Sequence, residues 1–348
     1  MDDNAETSDA VKLSPVPTSV AGLGENFTDP LWRITVCLTA LERALLRAAP
    51  LRRLHFVTHG GASSLSTLQS YSRLEHSLGV FALAAHFRPQ DARLRAAALL
   101  HDIGHLPFSH TFEGAAGLDH HAIGRDLLAD SSIAEPLRRH GLSAADVETL
   151  PAPTTPGVMG LDHLDSYARS ARFSGRLGTD PVELLAGLEL RGSALSTDRA
   201  RAETLVELVC AEASLHISWD NVAPSAAMQR LVRTLLAAGH TEPNQLARMT
   251  DAELWAAFDA CAATRSEARL LRTATHRLVA VAVADGATSV AGLPGWQFTL
   301  RKIYSSAPLV DGERIETAAP ALAWRLAELQ RLPRRFHVRW DDPALTPG

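Results

Sequence analysis

Apolar residues recur at helical spacing along most of this chain, and the breaks between those stretches fall in glycine- and proline-rich segments. A polar start sprinkled with proline and glycine predicts a loose acidic tail over residues 1–27. Asp29-Pro30 then predicts a helix start, with a capping carboxylate and a first-turn proline, followed by Ile34, Cys37, Leu38, Leu41 and Leu45. His59-Gly60-Gly61-Ala62-Ser63-Ser64 separates this stretch from a helix expected over Arg73 to Phe87. Arg88-Pro89-Gln90-Asp91 breaks the chain. A helix from Ala92 places Leu94, Ala97, Ala98 and His101 on one stripe and ends near Gly104 and Pro107. Beyond a proline-rich loop at 150–157, helices are expected over Leu161 to Phe173, Arg199 to Leu215 and Ala226 to Ala238. Leu188 to Leu195, with Gly192-Ser193 at its centre, reads as a small hairpin, and the alternation of Phe336, Val338 and Trp340 predicts a short strand. The expected fold is mostly α, with minor β elements toward the C-terminus.

Composition narrows what such a fold is for. Of 348 residues, 46% are hydrophobic and 21% charged, with a formal net charge of -5, so a duplex-coating nucleic-acid binder is disfavoured. Lys12 and Lys302 are the only lysines, which reads as a coding bias toward arginine. Cys37, Cys210 and Cys261 are odd in number and widely spaced, which argues against a disulfide framework or a Cys-type zinc site. The acidic start has no basic segment followed by an apolar one, and no run approaches the ~20 apolar residues of a membrane helix, so the expectation is a soluble cytoplasmic protein without membrane contact. No Walker or GxGxxG loop is found. Arg331-Leu332-Pro333-Arg334-Arg335, with Phe336 and Trp340, is a weak candidate for single-strand nucleic-acid binding. A solvated strand edge is the better reading of that stretch.

Histidine changes the picture. Seven of the 15 histidines (His76, His86, His101, His105, His110, His120, His121) lie between residues 76 and 121. His76 shares a stripe with Val80 and Leu83, and His101 shares one with the alanines, so both rings face inward and need polar partners. A third helix supplies Asp162, with Asp165 and Arg169 on the same face. Imidazole and carboxylate together are ligands for Mn, Fe, Zn or Co. Two imidazoles and two carboxylates from three helices would form one mononuclear site with open positions for water and substrate. His86 and His140 read as surface or packing residues.

The runs Arg73-Leu74-Glu75-His76-Ser77-Leu78-Gly79-Val80 and Leu99-Leu100-His101-Asp102-Ile103-Gly104-His105-Leu106-Pro107-Phe108-Ser109-His110 resemble the HD superfamily of metal-dependent phosphohydrolases. More narrowly they resemble the branch containing the deoxynucleoside triphosphate triphosphohydrolases. The resemblance spans about Asp29 to Gly178 and continues loosely to Met228. It implies an HD-domain helical bundle over 28–240, with residues 241–348 as a C-terminal extension packed on it. It also implies metal ligation by His76, His101, Asp102 and Asp162, with one divalent transition metal and with Mg on substrate phosphates. Arg73 matches an arginine that contacts phosphate, and His105 and His110 match histidines lining the phosphate path. His120 matches a histidine assisting the leaving group, oriented by Glu113. Asp165 and Arg169 join Arg73 and His110 as expected substrate-binding residues, while His105 joins His120 and Glu113 as catalytic. A homo-oligomer is implied as well.

The departures fall on substrate contacts. Phe56, Ser166, Ser170 and Asp220 stand where the branch has glutamine, tyrosine, an acidic residue and lysine. A carboxylate at 220 would repel a triphosphate. The function this implies is hydrolysis of a nucleotide, releasing (deoxy)nucleoside and triphosphate, or hydrolysis of a related phosphate ester. The alternatives are a nucleotide-sensing module that has lost hydrolysis and, less favoured, a di-iron oxygenase that recruits His105, His120 and His121.

Overall fold

The computed structural model describes residues 13–113, 117–283 and 295–342. Its longest elements are the helices Arg73–Phe87, Leu161–Phe173, Arg199–His216 and Trp219–Ala237, and the fold is mostly α, as expected. The Arg73–Phe87 helix starts at a capping box: Ser72 Oγ accepts from the Glu75 N–H and the Glu75 carboxylate accepts from the Ser72 N–H. It packs along the Ala92–Leu100 helix, where buried Ala96, Ala97 and Ala98 allow close approach. The Leu161–Phe173 helix packs on it too, at Gly79. A Cβ there would lie 2.0 Å from Asp165 Oδ1 and 2.2 Å from an Arg169 nitrogen, so only glycine admits that ion pair against the helix.

Three sequence expectations shift. Residues 29–37 are not helical: Asn26–Thr28 pairs antiparallel with Thr35–Cys37, and the helix begins only at Ala40. The Asp29 carboxylate does cap backbone N–H groups, those of Leu31 and Trp32, but within the hairpin loop, where Arg33 turns the chain at φ 54°. The helix start lies in Thr39 and Glu42, which form a capping box. Part of the expected tail is also tied down, because the Val20 and Gly22 carbonyls accept from Arg52 and Arg47 and Phe27 is buried. Residues 1–12 lie outside the described residues. Finally, the helix expected from Ala226 begins at Trp219 and holds Pro224 in its interior.

The hairpin of Glu189–Arg191 and Ala194–Thr197 is present and gains Leu309–Val310 as a parallel third strand. Arg335–Trp340 is a strand too, but a central one, paired antiparallel with Leu278–Ala282 on one side and Trp296–Thr299 on the other. Phe336 and Trp340 are buried. The stretch is therefore neither a solvated edge nor a surface whose rings could stack on nucleic acid.

Two groups of buried side chains form the core, and both cross residue 240. Leu322 and Leu326 of the Pro320–Leu329 helix join Leu78, Phe81 and Leu164. Phe258 and Trp340 join Phe108, Phe112 and Met228. Polar ties follow the same route. The Asp251 carboxylate accepts from the Thr58 N–H at 2.8 Å and the Phe108 N–H at 2.7 Å, clamping the two loops that flank His76 and His101. Arg53 donates to the carbonyls of His105 and Met249.

Candidate metal centre

His76 lies mid-helix and is fully buried. Its Nδ1 is 2.8 Å from Asp165 Oδ2, so Nδ1–H donates to that carboxylate and the Nε2 lone pair points the other way. His101 ends the Ala92–Leu100 helix, and its Nδ1–H donates to the Ala98 carbonyl at 2.9 Å, which directs its Nε2 to the same place. Asp102 follows directly, and Asp162 opens the third helix. Their atoms converge. His76 Nε2 is 3.1 Å from Asp162 Oδ1 and 3.4 Å from His101 Nε2, and His101 Nε2 is 3.5 Å from Asp102 Oδ1. Donors held at about 2.1 Å from one ion stand roughly 3.0 to 3.4 Å apart in octahedral or tetrahedral geometry, so His76, His101 and Asp162 are placed to hold a divalent metal, with Asp102 beside them.

Electrostatics make the same demand. Two imidazole lone pairs and two carboxylates facing one point repel unless a positive charge sits among them. Without an ion a proton takes that place: burial would lower His76, but its hydrogen bonds to Asp162 and Asp165 outweigh burial and hold it at about 9. Burial would likewise raise Asp102, yet His101, His105 and Arg73 keep it well below the usual carboxylate range. Arg73 donates to Asp102 Oδ2 at 2.8 Å and to Ser109 Oγ at 2.8 Å. The open side is at Asp162, whose side chain is 46% exposed.

A second histidine group adjoins the first. His105 Nε2 lies 3.1 Å from Asp102 Oδ1, and its ring stacks on His120 with centroids 4.3 Å apart. Burial and Arg73 keep His105 neutral, well below its ordinary value. His120 Nδ1 is 2.7 Å from Glu113 Oε2, which leaves Nε2 as its working nitrogen. Glu113 is held far below the usual range because hydrogen bonds from His110 and His120 overcome its partial burial. His110 packs edge-on against both rings, and His121 lies 3.9 Å from His120. The structure thus brings His105, His110, Glu113 and His120 together beside His76, His101, Asp102 and Asp162. His86 and His140 are exposed, as expected.

Asp165 and Arg169 need correction. Both are fully buried: Asp165 accepts from His76, Arg169 and the Trp32 indole at 2.7 Å, and Arg169 also donates to Asp29 at 2.8 Å. They stand behind His76, away from the open side at Asp162, where they are placed to orient that ring rather than to meet a substrate. The helix spacing gave the shared face correctly but carried no information on depth. Phe56 is also displaced from the substrate path, being 58% exposed, while His59 of the same loop stands 4.6 Å from the His76 ring. Ser170 is buried and accepts from Gln69. Asp220 lies beside Ser66, whose hydroxyl meets its carbonyl.

The C-terminal region adds groups that sequence reasoning missed. Tyr304 stands beside His163 and His216, with ring centroids 6.5 and 5.8 Å away, and the Lys302 ammonium lies 4.5 Å from its centroid. Glu212 pairs with His216 at 3.0 Å, and its charge adds to burial in pushing the Tyr304 hydroxyl up to about 12. No local motif marks these residues. They arrive because the backbone of Ala307 pairs with Gly157 and Met159.

Helices that bring a histidine, a His-Asp pair and a later aspartate to one point define a helical metal centre of the HD type. Residues 73–170 match the HD domain family, so this segment of the chain is an HD domain. It is 30% identical over 235 residues to metal-dependent phosphohydrolase cns2 of Cordyceps militaris, covering 61% of this chain and 66% of that one. It is 34% identical over 127 residues to the uncharacterized protein YwfO of Bacillus subtilis, covering 32% and 29% of the two chains. The uncharacterized protein YdhJ of the same organism is 35% identical over 102 residues, covering 28% and 31%. The chain thus spans 66% of the first relative's length and under a third of the other two. A phosphohydrolase from Bacteroides thetaiotaomicron shares the fold with a TM-score of 0.65 at 16% identity, covering 91% of this chain and all of that one. A hypothetical protein from Aquifex aeolicus does so with a TM-score of 0.62 at 19% identity, covering 91% and 96%. Among the described residues no helix is long and apolar enough to cross a membrane.

Proposed function

We propose that the chain hydrolyses a phosphate ester of nucleotide type at a single divalent metal held by His76, His101, Asp102 and Asp162. The observation that carries this reading is the convergence of His76, His101 and Asp162 with Asp102 adjoining, the His76 and His101 tautomers being fixed from behind by Asp165 and the Ala98 carbonyl. The bound ion would supply Lewis acidity toward a phosphoryl oxygen and lower the pKa of water. Arg73, already oriented by Asp102 and Ser109, stabilises charge on the phosphate oxygens. His120 donates a proton to the departing oxygen through Nε2, while Glu113 holds the other nitrogen and stabilises the imidazolium. His105 and His110 wall the phosphate path, His105 as a neutral ring. Tyr304 and Lys302 support a nucleotide, since they offer an aromatic ring and a cation beside the open side at Asp162.

A release of intact triphosphate is one form of this reading. The half-buried carboxylate of Glu212, whose charge acts on Tyr71, Tyr167 and Tyr304, favours a second form in which the substrate carries fewer phosphates. Product analysis by ion-pair chromatography separates them. Deoxy- and ribonucleotides are incubated with the Mn-, Mg- or Fe-loaded protein beside Asp102→Ala. Nucleoside plus triphosphate supports the first form, and inorganic phosphate the second. Turnover that persists undiminished in the variant would overturn both.

A further inference from the structure

His59 has no assigned part in this chemistry, yet it is built into the wall of the centre. Its loop is pinned to the start of the Arg73–Phe87 helix, for the His59 N–H donates to the Tyr71 carbonyl at 2.9 Å and the Arg73 N–H to the Val57 carbonyl at 2.8 Å. Gly61 takes φ 59°, which lets the chain turn away directly after the histidine. The ring is sandwiched by partners of known position: it stacks on Tyr71 at 4.9 Å, Tyr71 stacks on Phe173 at 4.8 Å, and His76 stands 4.6 Å away on the metal side.

The hydrogen bonding of this ring is incomplete. His59 Nδ1 is 2.9 Å from the Tyr71 hydroxyl. Tyr71 has no other hydrogen-bond acceptor among the described residues, so its O–H donates to Nδ1, and the imidazole proton resides on Nε2. That Nε2–H is buried and has no partner among the described residues. An unpaired buried donor carries a desolvation penalty of about 1–3 kcal/mol, and such exceptions in folded proteins ask for a missing partner. The charged groups that act on the ring are Arg73, His76, Asp102 and His110, all members of the site.

We infer that His59 is a substrate-binding residue whose Nε2–H donates to an oxygen of the phosphoryl group held at the metal centre. The inference rests on the phosphohydrolase reading and adds a donor to it. Arg73 and His59 leave the two ends of the same pinned loop, so one phosphate oxygen set meets a charged donor and a neutral one. Such pairing gives orientation as well as affinity.

The test uses the full chain loaded with zinc and inorganic phosphate as the probe, read by calorimetry. His59→Leu is expected to weaken phosphate binding at least tenfold, the loss of a hydrogen bond to a charged group, while zinc stoichiometry and affinity stay unchanged. His59→Gln, whose amide nitrogen reaches the position of Nε2, is expected to stay within about threefold of the wild type. Equal phosphate binding by His59→Leu and wild type overturns the inference. So does equal loss in both variants with a fall in zinc affinity, since that marks a packing role. Wild-type protein that binds no phosphate and hydrolyses no ester overturns the phosphohydrolase reading itself. Nitrogen-15 spectra of labelled histidine in the wild type guard against misfolded variants. Phosphate must shift the protonated Nε2 resonance of His59, and an unmoved resonance in the phosphate complex counts against the inference.

Discussion

Behind His76 runs a buried chain of charges, from Asp165 to Arg169 to Asp29, that decides which nitrogen faces the centre. Asp165 is kept ionised, to about 2, because Arg169 and the hydrogen bond from His76 overcome its burial. Asp165→Asn weakens the pull on the Nδ1 proton, and metal affinity is expected to fall about 10–100-fold in a chelator competition. Unchanged affinity would show that the tautomer is set elsewhere. The sign of the pH dependence follows from His76. In the metal-free protein its pKa is raised to about 9 from 6.5, so its contribution to stability is fully present below 6.5 and lost as pH rises through 9. Metal must displace that proton, so apparent affinity is expected to climb about tenfold per pH unit up to 9, with one proton released per ion in an indicator-dye titration. Affinity independent of pH between 7 and 9 would contradict it. His76 and His101 stood out in the sequence as polar rings on apolar stripes, while Asp102 and Asp162 joined them through the resemblance to the HD superfamily. His59 was not legible, since its meaning depends on Tyr71, twelve positions on, and on a loop conformation that no periodicity encodes.

Elements hold these residues through contacts that are long in sequence. The loops carrying Thr58 and Phe108 share one acceptor, Asp251, at the start of a helix far downstream. Asp251→Ala leaves two N–H groups without that acceptor and is expected to destabilise the metal-loaded protein by roughly 2–4 kcal/mol in urea denaturation. A loss under about 0.5 kcal/mol, typical of a surface substitution, would show that water replaces the carboxylate freely. The helices Arg73–Phe87 and Leu161–Phe173 were legible from periodicity. The hairpin at 26–37 was misread because Asp29-Pro30 is as good a start for a turn as for a helix, and the strand pairing Phe27 with Val36 is only three residues long. The capping box Thr39-Ala40-Leu41-Glu42 was the better helix signal.

Among the described residues, buried packing runs across residue 240, beyond which the sequence reading placed a C-terminal extension packed on the core. Periodicity showed elements but not which would pack together, and both buried groups draw on residues beyond 240. A fragment ending at residue 240 lacks Asp251, Phe258 and Trp340, and is expected to lose cooperative thermal unfolding. A sharp transition in that fragment would mean that the C-terminal region is an accessory. The same packing sets Tyr304 beside His163, the neighbour of Asp162, with Lys302 over its ring, so the proposed site draws on parts of the chain that no single motif joins.

Metal content measured by mass spectrometry on the purified, reloaded full chain tests the mononuclear centre most directly. One ion per chain is expected in the wild type and in His110→Ala, and a substoichiometric trace in His101→Ala and in Asp162→Ala. The second histidine group, His105, His110 and His120, also has ligand atoms close enough to hold an ion. Two ions per chain, or a single ion lost on replacing His110 and kept on replacing His101, would contradict a centre built on His76, His101, Asp102 and Asp162.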